Sequence, residues 1–386
     1  MDILDYLNYL EHLPPEILNS ILLKLPLDDL YNLCQVSTSL NLFCKNWSFW
    51  ADKAYQDFKF PRSLFSETDL LNPLYRYKEV IKYIRNPISA LLEAIIKKKL
   101  DLLAYILDDF IFKRSEINYI IYEAALNNNL DAIKYIYSKI NVKMLNPNFI
   151  LNGAAESKIL NKNIINFAIH YGADDFGNAL YKAGQYDNLN TLKYLIQLGA
   201  KSVVRSLLAA AENGNNDILN YLFEFTHFDI QDINEAFNLA ILSDNTDTID
   251  ILINNGADDF NESLCTAASI NNLKLFEYLL LKIHNLTTSQ TTNINYTDIL
   301  KCAVEGNSIK IVKYLIDEDL ITSEDLYDAL LYAITDGNAE MVKYILSTNQ
   351  IRRNLLEAYE QSLFEYSQNK EDYQRKDIIN YIKSKL

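Results

Sequence analysis

A chain of 386 residues, 49% hydrophobic and 23% charged, holds enough apolar side chain for a long core and does not have the composition of a disordered segment. Its 36 basic against 51 acidic residues give a formal net charge of −15, which argues against nucleic acid as the main ligand, because phosphate binding needs clustered lysine and arginine. No apolar run approaches the roughly 18 residues that cross a bilayer, and the acidic opening MDILDYLNYLEH lacks a basic signal-peptide start, so a soluble cytoplasmic protein with no membrane partner is expected.

The first informative stretch runs from Leu13 to Trp50. Pro14 and Pro15 suit a first helical turn, and Ile17, Leu18, Ile21, Leu22 and Leu25 then share one face at helical spacing. Pro26 stops that helix, Asp28 or Asp29 offers a cap for a second carrying Leu30, Leu33 and Val36, and Ser37 to Ser39 offer another before Leu40, Leu42, Phe43 and Cys44. Three such short helices cannot hide this much apolar surface among themselves, and the surplus implies a partner. A plain N-terminal cap on the rest of the chain is the competing interpretation.

These residues resemble the F-box family, whose pattern is LP-x-E-[IL]-[IL], a later L-P-x-x-D-L, a V-[CS]-K-x-[WF] turn and a closing tryptophan. The pattern is carried by Leu13, Pro14, Glu16, Ile17 and Leu18, then Leu25, Pro26, Asp29 and Leu30, then Val36 and Ser37, and finally Trp50. Thr38 stands where the family has lysine, and Leu40 where it has tryptophan or phenylalanine, which removes aromatic bulk from the expected core. The resemblance implies docking on the Skp-type adaptor of cullin ubiquitin ligases. It carries that role onto Leu13, Pro14, Ile17, Leu18, Leu22, Leu25, Leu30, Val36 and Trp50, as residues that meet or support the adaptor.

Between residues 51 and 87, PRSLF is a break, and LLNPLYRYKEVIKYIRNP predicts a helix with Leu74, Tyr77, Val80, Ile81 and Ile84 on one side. That helix is expected to bridge Trp50 stiffly to the rest of the chain.

From there the chain repeats. A small residue is followed eleven positions later by an aromatic or aliphatic one at Ala94 and Tyr105, Ala124 and Tyr135, Ala183 and Tyr194, and Ala210 and Tyr221. The same offset recurs at Ala240 and Ile251, Ala267 and Tyr278, Ala303 and Tyr314, and Ala333 and Tyr344. One further unit, Ala154 to Phe167, is two residues longer, and a last one ends at Tyr381 without a clear alanine. Spacings between the second anchors run from 27 to 37 residues, around the ~33 of an ankyrin repeat. The position five after the alanine is usually asparagine (Asn129, Asn188, Asn215, Asn245, Asn272, Asn338), which fits either a left-handed turn residue or a helix cap. The recurring tyrosine marks the seam between units and is expected to be mostly core.

A polar turn followed by hydrophobic-hydrophobic-Lys-Tyr-hydrophobic-hydrophobic, as in Tyr186 to Ala200 and Thr335 to Leu346, resembles the second half of an ankyrin repeat, and so does GADDF at Gly172 to Phe176 and Gly256 to Phe260. The T-P-L-H start of the first helix is missing throughout, so the array is degenerate. The run GADDFGNALYKA reaches Ala183 in a dozen residues, too few for an extended hairpin finger, and nine glycines in the whole chain agree with clipped fingers. First helices such as LYKAGQ, SLLAAAEN and LCTAASI then supply more of the binding face.

Catalytic signatures are absent: no P-loop, no nucleophile elbow, no H-E-x-x-H, and His12, His170, His227 and His284 are isolated. Cys34, Cys44, Cys265 and Cys302 form no C-x-x-C pair and are expected as reduced core residues rather than disulfides or zinc ligands. Asp174-Asp175 and Asp258-Asp259 lack a calcium loop and are expected as helix caps, while Lys97, Lys98 and Lys99 are expected as a solvated turn. No metal and no cofactor is expected. Sequons such as Asn285-Leu286-Thr287 are chance products of an asparagine-rich chain.

The expected fold is all-α: an N-terminal F-box three-helix module (1–52), a helical linker (53–87), an ankyrin-like α-solenoid of about nine units with shortened hairpin loops (88–350), and a C-terminal capping unit (351–386). The resemblances imply a non-enzymatic, substrate-recruiting subunit of a Skp-cullin-F-box ligase, monomeric within a hetero-complex, whose array binds an unknown target protein. The alternative is a scaffold that sequesters a host protein or the adaptor without ubiquitination. Arrays joined to an F-box occur in large DNA viruses, which implies a viral protein acting in host cytoplasm.

Overall fold

The computed structural model describes residues 9–10, 12–65, 73–285, 294–348, 350–351, 355–368 and 373–386. Residues 286 and 287 of the sequon that begins at Asn285 lie outside this set, as does part of the acidic opening. Among the described residues the regular elements are all helical, with no strand.

Pro14 precedes α1 (Pro15–Leu22) as its N-cap, and Pro15 occupies a position where a missing N–H costs nothing. Pro26 opens α2 (Leu27–Val36) through its carbonyl, which accepts from Leu30 N at 3.0 Å. Asp28 and Asp29, expected as caps, instead stand in the first turn of α2, where their charge meets the positive helix end. Ser37 Oγ accepts from Leu40 N at 3.1 Å at the start of α3 (Thr38–Cys44). The three expected helices are followed by a fourth, α4 (Trp47–Phe58), capped by Asn46, and Trp50 lies in it. A 3₁₀ turn at Arg62–Leu64 leads to α5 (Pro73–Arg85). On α5, Tyr77 and Val80 are buried and Leu74, Ile81 and Ile84 half-buried, but Arg76 and Tyr83 are buried as well, so the covered side is wider and more polar than its apolar spacing predicts.

Helix pairs follow: α6 (Pro87–Ile96) with α7 (Leu100–Asp109), α8 (Arg114–Leu126) with α9 (Leu130–Lys139), and α10 (Asn148–Glu156) with α11 (Lys162–His170). Next come α12 (Phe176–Gln185) with α13 (Leu189–Gln197), α14 (Val204–Asn213) with α15 (Asn216–Phe225), and α16 (Ile230–Leu242) with α17 (Thr246–Asn254). The last are α18 (Phe260–Ser269) with α19 (Leu273–Asn285), α20 (Tyr296–Glu305) with α21 (Ile309–Asp317), α22 (Ser323–Asp336) with α23 (Ala339–Ser347), and α24 (Leu355–Gln368) with α25 (Tyr373–Lys383).

The chain forms two compact units, residues 1–179 and 180–386. In the first, α8 packs between α6 and α10. In the second, α16 packs between α14 and α18, α20 between α18 and α22, and α24 against α22. These first helices approach closely because the alanine anchors sit between them, each at most 1% exposed from Ala94 to Ala333. The last pair has no alanine at that place near the helix end, as expected; its buried alanine, Ala358, stands in the first turn of α24 instead. Gly184 shows how close the approach is: a Cβ there would stand 2.7 Å from Ser206 O.

The turn after each anchor resolves the two possibilities for asparagine. Left-handed backbone falls four residues after the alanine, at Lys98, Asn128, Asp187, Gly214, Asp244, Asn271, Asn307 and Gly337. The asparagine one residue later caps the second helix, as when Asn129 Oδ1 accepts from Ala132 N and Asn338 Oδ1 from Met341 N. Its Nδ2 then reaches the preceding pair, as when Asn129 donates to Ile95 O; Asn215, which makes no side-chain cap, likewise donates to Gly184 O.

A second polar position, six residues before the alanine, holds the next loop. Asn148 Oδ1 accepts from both Asp174 N and Asp175 N while its amide donates to Asp174 Oδ1. Asn234 repeats all three contacts with Asp258 and Asp259. Asn118 and Asn261 accept from Asn146 N and Asn295 N, and Thr297 donates to Asp325. Each acidic pair therefore divides its work: Asp175 and Asp259 cap their helices, whereas Asp174 and Asp258 hold the neighbouring asparagine.

The cysteines depart from the expectation of isolated thiols. Cys34 of α2 is paired with Cys44 at the end of α3, and Cys265 of α18 with Cys302 of α20, with Cα atoms 6.1 and 5.4 Å apart, separations a disulfide spans. Stacking brings together residues 37 apart in sequence, which no short motif signals.

Asn234→Ala removes a side chain that serves three groups of the next loop, and a loss of about 1–2 kcal/mol in urea unfolding is expected. Lys98→Gly, at a left-handed position that costs a lysine but not a glycine, is expected to raise stability by about 0.5–1 kcal/mol in the same assay.

Candidate functional site

The leading helices close a small core of their own. Leu18 and Leu22 of α1, Leu30 of α2, Leu40 of α3 and Trp50 of α4 are all buried. Trp50 Nε1 donates to Cys44 O at 2.8 Å, and its ring meets Phe49 at 5.4 Å and Tyr77 of α5 at 5.1 Å. Leu40 is 1% exposed, so the smaller side chain packs fully, and Tyr77 adds aromatic bulk from outside the three-helix module.

Among the nine adaptor candidates the burial divides cleanly. Leu18, Leu22, Leu30 and Trp50 are interior, Leu13 and Leu25 half-buried, and Pro14, Ile17 and Val36 exposed. Ile17 is 49% and Val36 65% exposed. Ile21, Tyr31 and Leu42 are exposed as well, the last at 70%. Helical spacing already placed Ile21 on the face of Ile17, though the family resemblance carried no role onto it, whereas the exposure of Tyr31 and Leu42 depends on how α2 and α3 pack.

Polar contacts fasten this module to α5 and α6. Lys53, buried in α4, donates to Leu23 O past the end of α1 at 2.8 Å and pairs with Asp57 at 2.9 Å. Asp57 accepts a short hydrogen bond from the Tyr77 hydroxyl, and burial followed by that carboxylate pushes the phenol far above its ordinary range, so it stays a donor. Arg76 donates to Leu64 O at 3.0 Å and to Glu79 at 2.7 Å. Tyr83 donates to Glu93 of α6 at 3.0 Å, and Tyr105 of α7 to Phe58 O at 2.9 Å; burial pushes both phenols up to about 12. Sequence reasoning missed Lys53 and Asp57, whose i, i+4 spacing is the one local signal they give.

Along the repeats the recurring tyrosine is less buried than predicted. Tyr105 is covered, but Tyr135, Tyr194, Tyr221, Tyr278, Tyr314 and Tyr344 are half-buried at the seam between second helices, as when Tyr278 donates to Asp250 of the preceding pair at 2.5 Å. A groove of 420 Å³ where α5 meets α6 is lined by Glu79, Lys82, Arg85, Ser89 and Glu93 among others, a set in which acids and bases offset one another. Among the described residues no three or more metal-ligating side chains gather, and the four histidines are each exposed.

Residues 10–55 match the F-box-like family, and residues 264–354 match ankyrin repeats in three copies. A comparison with curated proteins finds no match. An F-box-like domain thus stands near the N-terminus and ankyrin repeats later in the chain, and both families are protein-interaction modules rather than catalysts.

If the buried charge pair ties the module to its neighbours, Asp57→Ala leaves Lys53 without a counter-charge and Tyr77 without an acceptor, at a cost of about 2–3 kcal/mol. Lys53→Met combined with Asp57→Ala is expected to cost less than Asp57→Ala alone. Chemical denaturation of the three variants checks the order.

Proposed function

We propose that this chain is a substrate-recruiting subunit of a Skp-cullin-F-box ubiquitin ligase, with α1 to α4 docking on the Skp-type adaptor and the repeats binding a target protein. One observation carries the reading: the module completes its own interior with Leu18, Leu22, Leu30, Leu40 and Trp50 and still leaves Pro14, Ile17, Ile21, Val36 and Leu42 uncovered. Were these helices a plain cap for the repeats, that surface would have no reason to be apolar. Among the nine candidates, Pro14, Ile17 and Val36 then make direct contact, Leu13 and Leu25 border it, and Leu18, Leu22, Leu30 and Trp50 hold the contacting helices in place.

The fastening through Lys53, Asp57, Tyr77, Arg76 and Tyr105 supports a stiff join, which would hold a captured protein at a set distance from the ligase. No helix among the described residues is long and apolar enough to cross a membrane, and the net charge of −15 gives nucleic acid little to hold. We place its action in the cytoplasm, of a host cell if the kinship with viral F-box and ankyrin proteins holds.

Fully covering an isoleucine contributes about 1.5–3 kcal/mol, so Ile17→Asp together with Val36→Asp should weaken adaptor capture well over tenfold. Both positions are exposed, and the melting temperature should hold, whereas Leu22→Asp should unfold the module. Adaptor capture by a folded Ile17→Asp, Val36→Asp chain would remove the docking reading. Reconstitution with cullin and ubiquitin then separates the two outcomes: modified target supports a recruiting subunit, and assembly without modification supports a sequestering scaffold.

A further inference from the structure

Within residues 180–386, the first helices α14, α16, α18, α20 and α22 share one face that neither their neighbours nor the second helices cover. Its composition becomes plain when counted from the buried alanines Ala210, Ala240, Ala267, Ala303 and Ala333. Five residues before each stand Arg205, Glu235, Glu262, Asp298 and Asp328, all exposed. Two residues after each stand Glu212, Leu242, Ser269, Glu305 and Thr335, also exposed. Between those edges runs a strip that includes Leu208, Leu239, Thr266, Leu331 and Tyr332, with Leu242 beside it at 56% exposure. Its one charge, Lys301, lies 3.5 Å from Asp298.

Charge is sorted between the helix layers. Arg205 and Lys301 are the only basic residues of these five helices, whereas Lys274, Lys282, Lys310, Lys313 and Lys343 stand on the second helices α19, α21 and α23. The face is therefore a strip that is largely apolar on α14, α16 and α22 and polar on α18 and α20, beside a row of carboxylates, one per helix over four consecutive pairs.

We propose that this face holds an extended, basic segment of a partner protein, with a lysine or arginine at every third residue meeting the row of Glu235, Glu262, Asp298 and Asp328. Packed helices lie about 8–10 Å apart, and three residues of chain in the extended polyproline II form span about 9 Å and complete one turn, so every third side chain returns to the row and the segment keeps register with it. Residues between the cations lie on Leu239, Leu242, Leu331 and Tyr332. The proposal rests on the reading of the repeats as the target-holding part and names the chemistry of that target.

The test uses the full chain and, as probe, a fluorescein-labelled peptide of five Arg-Val-Ser triplets, followed by anisotropy. The expected result is binding that weakens roughly tenfold when Glu235→Gln, Glu262→Gln and Asp328→Asn are combined. The equal charge change Glu224→Gln, Asp247→Asn and Glu277→Gln on the second helices should alter it by less than about twofold if the face and not net charge is responsible. All six side chains are exposed, and melting temperatures confirm that both variants fold. Equal weakening by both sets, no weakening by the first, or equal affinity for a peptide with its arginines clustered at one end would overturn the proposal. Adaptor capture measured on the same chain keeps the two readings apart: peptide binding without capture removes the docking reading alone, and capture without peptide binding removes this one alone.

Discussion

A loop between helix pairs must find partners for its backbone amides, and in four of them a side chain from the preceding pair supplies one or two. Where a full ankyrin finger would satisfy the loop by strand pairing, Asn148 and Asn234 each accept from two successive loop amides, and Asn118 and Asn261 from one. Such a clamp accompanies the spacing of 27 residues between Phe167 and Tyr194, where Asn148 accepts from Asp174 N and Asp175 N. That spacing also uncovers the first helices, because no finger projects beyond them.

The leading module obeys a related constraint. Its helices are too short to be independent, and Tyr77 from α5 completes the wall around Trp50. The same tyrosine hydroxyl binds Asp57, which balances the buried Lys53, which in turn satisfies the carbonyl of Leu23 left open at the end of α1. A change at the join is therefore felt at α1, the helix that carries Ile17 and Ile21. The exposed apolar surface and the packing against α5 use different side chains, linked through Asp57, Lys53 and the Leu23 carbonyl.

How much of this was legible depends on the distance over which each signal acts. Helix starts at Pro15, the alanine anchors and the capping asparagines follow from local chemistry, and the chain shows them at a constant offset. The asparagines that clamp the next loop were invisible because their partners stand 24 to 34 residues away, at a distance that changes with loop length. Cys265 and Cys302 were obscured for the same reason. Within the module, sequence identified the apolar set but not its division into interior and exterior: Leu18 and Ile17 are adjacent and chemically alike, and only the packing of α2 to α4 sends one inward.

A row of like charges ought to weigh against a fold, and the size of that penalty decides whether Glu235, Glu262, Asp298 and Asp328 are tolerable. Neighbours along the row are separated by about one helix spacing, 8–10 Å, which is close to the screening length of about 8 Å at physiological salt. Exposed to water at that distance, two carboxylates repel by only about 0.5 kcal/mol before screening, so the row costs the fold little. A chain of cations laid along it would approach each carboxylate to contact distance, where attraction is several times larger and water is partly displaced. The geometry is thus cheap to maintain unbound and responsive to a partner of matching period, which is the asymmetry expected of a recognition surface rather than of a solvated face.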